Sequence, residues 1–177
     1  MITARPAPNE HAPYYGKYVA LVTENDILDV LEQQRKNAAA LWRSVPESQA
    51  GVLHAPYTWT IRQVAGHLID GERVFGYRAL RFARGDSTAL PGFDENIYAR
   101  SGEFDRLPLA DLADEFDGVR HSTLHLFRHL PQEAWTRTGE ANGATVSVRA
   151  LAFIIAGHTR HHMAIVRKRL DSALAVR

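Results

Sequence analysis

The chain has 177 residues and no cysteine, and its 21 Lys and Arg residues balance 20 Asp and Glu residues. The formal net charge of +1 provides no overall attraction to nucleic acid or to an anionic membrane surface. The lack of cysteine excludes disulfides, cysteine metal ligands and a catalytic thiol supplied by the protein. The length predicts a single domain over residues 1–177, with its core at about residues 20–172.

The N-terminal segment does not have the pattern of a secretory signal. Residues 1–13 contain Pro6, Pro8 and Pro13 and no apolar run suited to secretion. Nowhere does the sequence reach the ~18 consecutive apolar residues that a membrane-spanning helix requires. We therefore expect a cytoplasmic protein that has no membrane partner and no specific nucleic-acid partner.

The first predicted elements are an aromatic arm and a helix. Tyr14, Tyr15 and Tyr18 predict an N-terminal arm with a short helix that packs on the rest of the protein. Apolar residues then recur at helical spacing over about residues 24–43. Thr23 is the predicted N-cap of this first long helix, and Pro46 follows its end.

The second predicted helix has a clear start signal. Thr60 followed three residues later by Gln63 fits a capping box, in which each side chain bonds the other residue's backbone N–H. The apolar pattern then continues until just before Gly85. Residues 85–107 are rich in glycine and proline, and they predict a long loop before the third helix.

Two more helices complete the set. The third is predicted from Pro108, at a first-turn position, to Leu130, and the fourth covers about residues 148–170 with Ser147 as its cap. The segment 144–146 has strand character but is too short to predict a sheet. Four amphipathic helices in one small domain predict an all-α four-helix bundle, with an N-terminal aromatic arm and a long loop between the second and third helices.

Two histidines on the fourth helix lie where a core residue is expected. His158 and His162 are four residues apart, so they share one face of the helix. With a step of about 100° per residue, both fall within about 20° of Leu151, at the centre of the apolar stripe. Two interpretations of this pair remain open: the histidines bind a metal ion, or they are buried and form hydrogen bonds to other side chains.

The angular position of each remaining histidine on its predicted helix shows whether it faces the core or the solvent. His67 on the second helix lies on the flank of the apolar face and can point inward. His121, His125 and His129 form a ladder on the third helix, but that ladder lies opposite the apolar positions and predicts a solvated surface. His161 is about 60° or more from its histidine neighbours, so we interpret it as a flanking residue that could support the ligands, line the pocket or lie at an interface.

Together, His67, His158 and His162 form a candidate three-histidine site between two facing helices. Three imidazoles that leave a fourth position open are typical of a catalytic ion rather than a structural one. Four carboxylates are candidates for supporting roles: Asp70 and Glu72 on the second helix, and Asp94 and Glu95 in the long loop. Asp70 is one turn from His67, while Asp94 could reach over the pocket or simply form a turn.

The order of these motifs resembles the DinB/YfiT-like superfamily of metal-binding four-helix bundles. The matching segments are residues 59–68 around His67, residues 91–94 in the long loop, residues 148–150, and residues 157–162 around the histidine pair. The resemblance covers about residues 10–170. It implies that His67, His158 and His162 bind a divalent metal ion, with zinc or nickel as the leading choices.

The resemblance also implies an activity. The expected function is a thiol-dependent S-transferase, in which the ion activates a small thiol that attacks an electrophilic small molecule. One alternative is a metal-dependent hydrolase that uses metal-bound hydroxide. Another is a non-enzymatic stress-response or binding module with a structural metal. A homodimer is expected from the same resemblance.

Overall fold

The computed structural model describes the backbone of residues 4–174 and the side chains of residues 4–172. Over this range the chain forms seven α-helices and one β-hairpin. In chain order they are α1 (Gly16–Ala20), α2 (Ile27–Ser44), α3 (Glu47–Ala50), α4 (Ile61–Ala83), α5 (Glu95–Ser101), α6 (Leu109–Arg128), β1 (Thr138–Ala141), β2 (Ala144–Ser147) and α7 (Val148–Leu174).

Four long helices, α2, α4, α6 and α7, form a four-helix bundle, as the sequence predicts. Helix α6 packs against both α2 and α4, α7 packs against α4 and α2, and α1 lies across α7. Large apolar side chains from all four helices fill the core, among them Leu31, Trp42, Leu68, Phe82, Phe116, Phe127 and Phe153. Within the described range, no helix combines the length and apolarity needed to cross a membrane.

The starts of the two helices that carry the candidate histidines were predicted correctly. At α4, Thr60 Oγ1 accepts from the Gln63 backbone N at 3.0 Å, and Gln63 Oε1 accepts from the Thr60 N at 3.0 Å. At α7, Ser147 Oγ accepts from the Ala150 backbone N at 3.0 Å. These bonds satisfy backbone donors that have no partner within the helix.

The predicted starts of the other two long helices were displaced. Helix α2 begins at Ile27 rather than near Glu24, because the Asp26 carboxylate, not Thr23, caps it by accepting from the N–H groups of Leu28 and Asp29. Helix α6 begins at Leu109, with Pro108 as its N-cap, and ends at Arg128.

The long connection predicted over residues 85–107 is present, and it contains short helical elements that the sequence did not predict. This segment contains α5 and a 3₁₀ turn at Phe104–Arg106. Asp94 caps α5, with its Oδ1 accepting from the N–H groups of Asn96 at 2.8 Å and Ile97 at 3.0 Å. The side chain of Phe104 is buried against Gly66 of α4, which holds the segment on the bundle.

A small β-hairpin, which the sequence did not predict, precedes α7. Strands β1 and β2 pair antiparallel around Asn142 and Gly143, whose φ angles are 54° and 72°. Two consecutive positive φ angles match the tight turns that join adjacent antiparallel strands, and Asn-Gly is the sequence that favours them. Leu90 donates its N–H to the Glu140 carbonyl of β1 and accepts from the N–H of Asn142 in the turn, so the hairpin also holds the segment after α4.

Candidate metal centre

His67 on α4 meets His158 and His162 on α7 inside the bundle. One ligand nitrogen from each of the three lies within 4.8 Å of the other two. The Nε2 atoms of His67 and His158 are 2.9 Å apart. The structure thus brings together the three histidines that the helical angles select, and their role as metal ligands stays a prediction.

The close approach of α4 and α7 depends on a small residue beside the histidines. A Cβ atom placed on Gly71 would lie 3.2 Å from His158 Cε1, tighter than most real contacts. Gly71 therefore leaves the space into which the His158 ring fits. The four-residue spacing of His158 and His162 then places the second ring one turn further along α7, with the ring centroids 4.6 Å apart.

Burial keeps all three imidazoles neutral. Burial lowers the pKa of His67 to about 4. Burial, followed by repulsion from His67, His161 and Lys17, lowers the pKa of His162 to about 3. His158 is the most enclosed, and burial followed by repulsion from His162 and His67 holds its pKa well below the usual value. A neutral imidazole keeps a nitrogen lone pair, which is the form that binds metal ions.

The three residues fit a divalent cation. Nitrogen ligands about 2.0–2.1 Å from a tetrahedral ion stand roughly 3.4 Å from one another. The nitrogens here lie between 2.9 and 4.8 Å apart, so small ring rotations would bring them to that spacing. Among the described residues no carboxylate or further histidine joins this group.

The three histidines form one end of a pocket with a volume of about 430 Å³. Most of its walls are aromatic, and a few polar side chains lie among them. The aromatic residues are Tyr14, Tyr15, Tyr18, Trp59, Phe75 and Phe93, and the polar ones are Arg78, Glu95 and Asn142.

The N-terminal arm supplies one wall of this pocket. The Tyr18 ring meets the His158 ring edge-on at 5.3 Å and the His161 ring at 5.5 Å. Burial raises the pKa of Tyr18 well above its usual value, so its hydroxyl stays protonated at physiological pH. Trp59 stands on the opposite side, with its ring 4.8 Å from that of His67.

The other predicted candidates lie away from the three nitrogens. Asp70 is half-buried, does not line the pocket, and faces Arg73 at 3.8 Å. Asp94 is engaged as the cap of α5, while its neighbours Phe93 and Glu95 reach the pocket. His161 is partly exposed beside Tyr18, lies outside the histidine group and is not among the residues that line the pocket.

The histidine ladder on α6 lies on the surface, as predicted. His121, His125 and His129 are all exposed, and the Nε2 atoms of the first two are 3.1 Å apart. This pair could hold an ion with solvent on one side. It is therefore a second place where a divalent metal could bind weakly and confuse measurements of metal content.

A buried ion pair lies one layer away from the histidines. Arg120 donates from Nε and Nη2 to the two oxygens of Glu72, at 2.8 and 2.9 Å. Its Nη2 also donates to Thr159 Oγ1 at 2.8 Å, next to His158 in the chain. Gln34 of α2 accepts a further bond, so the network joins all four bundle helices.

Three pocket residues were not predicted from the sequence. Trp59, which precedes the Thr60 cap, lines the pocket. Arg78 follows the α4 histidine by eleven residues, a separation that equals about three helical turns and could have signalled a shared face. Asn142 reaches the pocket only because the unpredicted hairpin carries it there.

Comparison with known proteins identifies one family. The sequence model of the DinB superfamily matches residues 30–166 of this chain. A search of curated proteins found no match.

Two solved structures share the fold. YfiT from Bacillus subtilis, described as a probable metal-dependent hydrolase with an unusual four-helix bundle topology, superposes with a TM-score of 0.77 at 16% identity, covering 95% of this chain and 92% of YfiT. A mycothiol-dependent maleylpyruvate isomerase superposes with a TM-score of 0.66 at 13% identity, covering 78% of this chain and 58% of the isomerase. At these identities the likeness establishes the fold.

Proposed function

This chain belongs to the DinB superfamily, and on that premise we propose that it is a metal-dependent enzyme that transfers a small thiol onto an electrophilic small molecule. One observation carries the proposal. Three neutral imidazoles, two of them buried and that of His162 partly buried, line an aromatic pocket together, and no carboxylate of the described residues joins them. Such a donor set leaves room for an exogenous ligand.

His67, His158 and His162 would hold the ion, and histidine nitrogens suit zinc or nickel. A divalent ion bound there supplies positive charge that lowers the pKa of a thiol or water at its open position. The protein has no cysteine, so the reacting sulfur must come from a small molecule.

The pocket residues have separate tasks in this reaction. Tyr18, Trp59 and Phe75 shield the histidines from bulk water and offer apolar faces to the electrophile.

In the transfer step, the thiol loses its proton to solvent, and the sulfur lone pair forms a C–S bond with the electrophilic carbon. The leaving group departs with the electrons of the bond that breaks.

Hydrolysis is the second candidate, supported by the description of YfiT as a probable hydrolase. Attack by water benefits from a carboxylate or histidine that accepts a proton beside the reacting centre. Among the described residues the candidate acids have other roles, since Asp70 faces Arg73 and Asp94 caps α5. Glu95 lines the pocket but is exposed. The surroundings of the histidines therefore favour thiol transfer.

A non-enzymatic role with a structural ion is the third candidate. Structural ions are normally closed by four protein ligands, whereas three histidines are grouped here beside a pocket large enough for a small molecule. The open pocket favours a reaction over a purely structural role.

The test measures both reactions on protein purified without a histidine tag and loaded with zinc or nickel. Chlorodinitrobenzene with cysteine, cysteamine or glutathione reports thiol transfer, and nitrophenyl acetate reports hydrolysis. We expect thiol transfer that depends on added metal and is lost in His67→Ala. The matched control is His125→Ala, which removes an exposed histidine and should retain full activity.

Metal-dependent hydrolysis without thiol transfer would overturn the transferase proposal in favour of the hydrolase. Equal rates in wild type and His67→Ala would overturn the assignment of the reaction to this centre. Circular dichroism of both variants checks that each remains folded.

A further inference from the structure

A second charged group lies in the same pocket as the histidines. Arg78 is only 4% exposed, on α4, and it lines the pocket wall. Its guanidinium donates from Nη2 to the Pro91 carbonyl at 2.9 Å, and the Tyr15 hydroxyl also lies beside it. No carboxylate in the described part of the chain lies within ion-pair distance of it. A buried cation without a counter-charge is costly, so its retention calls for an explanation.

Aromatic rings stabilise this guanidinium only in part. Its central carbon lies 5.8 Å from the centroid of the Phe75 ring and 5.9 Å from that of Phe93. Contacts with ring faces favour a cation but do not satisfy its N–H donors. The guanidinium therefore has donors to spare for an anion that enters the pocket.

We propose that Arg78 is the anion-binding end of the pocket and binds a carboxylate of the small thiol or of the electrophile. This inference rests on the proposed function, because it supplies the substrate class for that reaction. The ligand would place its reacting atom near the histidines and its carboxylate at Arg78, with Phe75 between the two ends.

The spacing along α4 determines the shape of such a ligand. Arg78 follows His67 by eleven residues, which separates their backbones by roughly 16 Å along the helix. The Phe75 ring centroid lies 5.8 Å from the central carbon of Arg78 and 6.0 Å from the His158 ring centroid, so the guanidinium stands within about 12 Å of the nearest histidine. The ligand is therefore an elongated molecule with an apolar middle, and a carboxylate directly beside the reacting sulfur would not reach Arg78.

The local charges favour a carboxylate over a phosphate. A planar guanidinium bonds either group through paired N–H donors. Arg78, however, is the only arginine or lysine among the described residues that line this pocket, and the exposed carboxylate of Glu95 stands in the same wall. A single negative charge is matched by Arg78, whereas a dianion would keep one charge uncompensated beside Glu95.

The experiment compares two series of probes that differ in one group. Mercaptoalkanoates of increasing chain length, from mercaptopropionate to mercaptoundecanoate, are titrated calorimetrically into zinc-loaded protein beside mercaptoalkanols of equal length. We expect the acid to bind about tenfold to a hundredfold more tightly than the alcohol when the chain is long enough for the carboxylate to reach Arg78. This ratio corresponds to the free energy of one charge-assisted hydrogen bond.

Variants assign the preference to one residue. Arg78→Gln should abolish the difference between acid and alcohol, and Arg78→Lys should keep part of it because the charge remains without the planar fork. Arg84→Gln, at the exposed end of the same helix, is the matched control and should leave the preference unchanged. Thermal unfolding confirms that each variant is folded.

Equal binding of acid and alcohol at every length would overturn the inference, as would a preference that persists in Arg78→Gln. Mercaptoalkyl phosphates that bind more tightly than the acids would overturn the choice of carboxylate. If no thiol of either series binds, the proposed thiol chemistry fails. The Arg78 inference is then decided by thiol-free alkanoates and alkanols titrated into the same proteins.

Discussion

Arg120 illustrates how much of this bundle depends on single polar residues. It is fully buried, and its guanidinium is satisfied by Glu72, Gln34 and Thr159 from the three other long helices. A buried ion pair adds little net stability over apolar residues of similar volume, yet removing one partner leaves an uncompensated charge in a medium of low polarity. The pair therefore favours one arrangement of the four long helices near His158, because any other arrangement would break these hydrogen bonds.

The first prediction concerns this pair. Glu72→Gln should lower the free energy of unfolding by about 3–5 kcal/mol, because Arg120 then stays charged without its partner. Urea denaturation followed by circular dichroism measures the change. The control is Glu115→Gln, which removes an exposed partner of Arg73 and should cost less than about 1 kcal/mol. Similar losses in the two variants would contradict the role assigned to Arg120.

Helical geometry alone predicts part of the site at this scale. His67, His158 and His162 were selected because a residue's angle on its own helix determines whether it faces the core. Arg78 and the Glu72–Arg120 pair were not found, because their meaning depends on which helices pack together. Spacing within one helix does not contain that information.

Among the elements, α1 and α7 approach each other closely at Gly157. A Cβ atom on Gly157 would lie 2.0 Å from the carbonyl oxygen of Tyr18, a backbone atom that cannot easily move aside. Gly157 thus allows the arm to rest directly on α7, one residue before His158. This contact positions Tyr18 over the histidines and builds one wall of the pocket.

The second prediction compares two glycines in helices. Gly157→Ala should destabilise the protein by about 1–3 kcal/mol, since the backbone must shift to admit the methyl group. Gly118→Ala on α6 meets nothing within 4 Å and should stabilise it by about 0.5–1 kcal/mol, because alanine favours a helix. Thermal or urea unfolding measures both. A neutral Gly157→Ala would contradict the close approach.

The third prediction concerns how the arm responds to pH. Glu10 accepts hydrogen bonds from Arg149 and Ser147 at the start of α7, and these bonds, led by Arg149, lower its pKa from 4.5 to about 2. A lowered folded-state pKa gives stability that is present above about pH 4.5 and is lost as the pH falls toward 2. The measurement compares the free energy of unfolding of wild type and Glu10→Gln across this range.

The expected result is a difference that is constant above about pH 4.5 and shrinks at lower pH. A difference that grows as the pH falls would contradict the pairing of Glu10 with Arg149. This contact joins the N-terminal arm to α7. Glu10→Gln should therefore also weaken the packing of Tyr18 against His158.

Local signals predicted some element boundaries better than others. The capping box at Thr60 was reliable because two reciprocal hydrogen bonds fix one start. The start of α2 was displaced because Thr23 and Asp26 are both good caps, and the choice between them depends on packing. The hairpin was missed because strands of four residues gain their stability from neighbours.

For the whole molecule, the fold is built by its apolar core. Two clusters of buried side chains, one around Phe82, Phe127 and Phe153 and one around Trp42, Leu68 and Phe116, fill the bundle. Four amphipathic helical patterns were enough to predict this architecture. Because these two clusters bury a large apolar surface away from the three histidines' nitrogens, we expect the protein to fold in its metal-free form.

The fourth prediction follows from that expectation. Chelator-treated protein should keep its helical circular dichroism, and zinc at a hundredfold excess over its Kd should raise the Tm by roughly 5–10 °C. His67→Ala should fold and lose this increase, because one of the three nitrogens is gone. Complete unfolding of the metal-free protein would instead indicate a structural ion.

The central claim is that His67, His158 and His162 hold one divalent ion, and metal content tests it most directly. Elemental analysis of protein purified without a histidine tag, after exposure to zinc and nickel and desalting, should find about one ion per chain. The His121→Ala/His125→Ala variant, which removes the exposed pair, should keep that ion, and His67→Ala should lose it. Metal that disappears with the exposed pair and persists in His67→Ala would contradict the account.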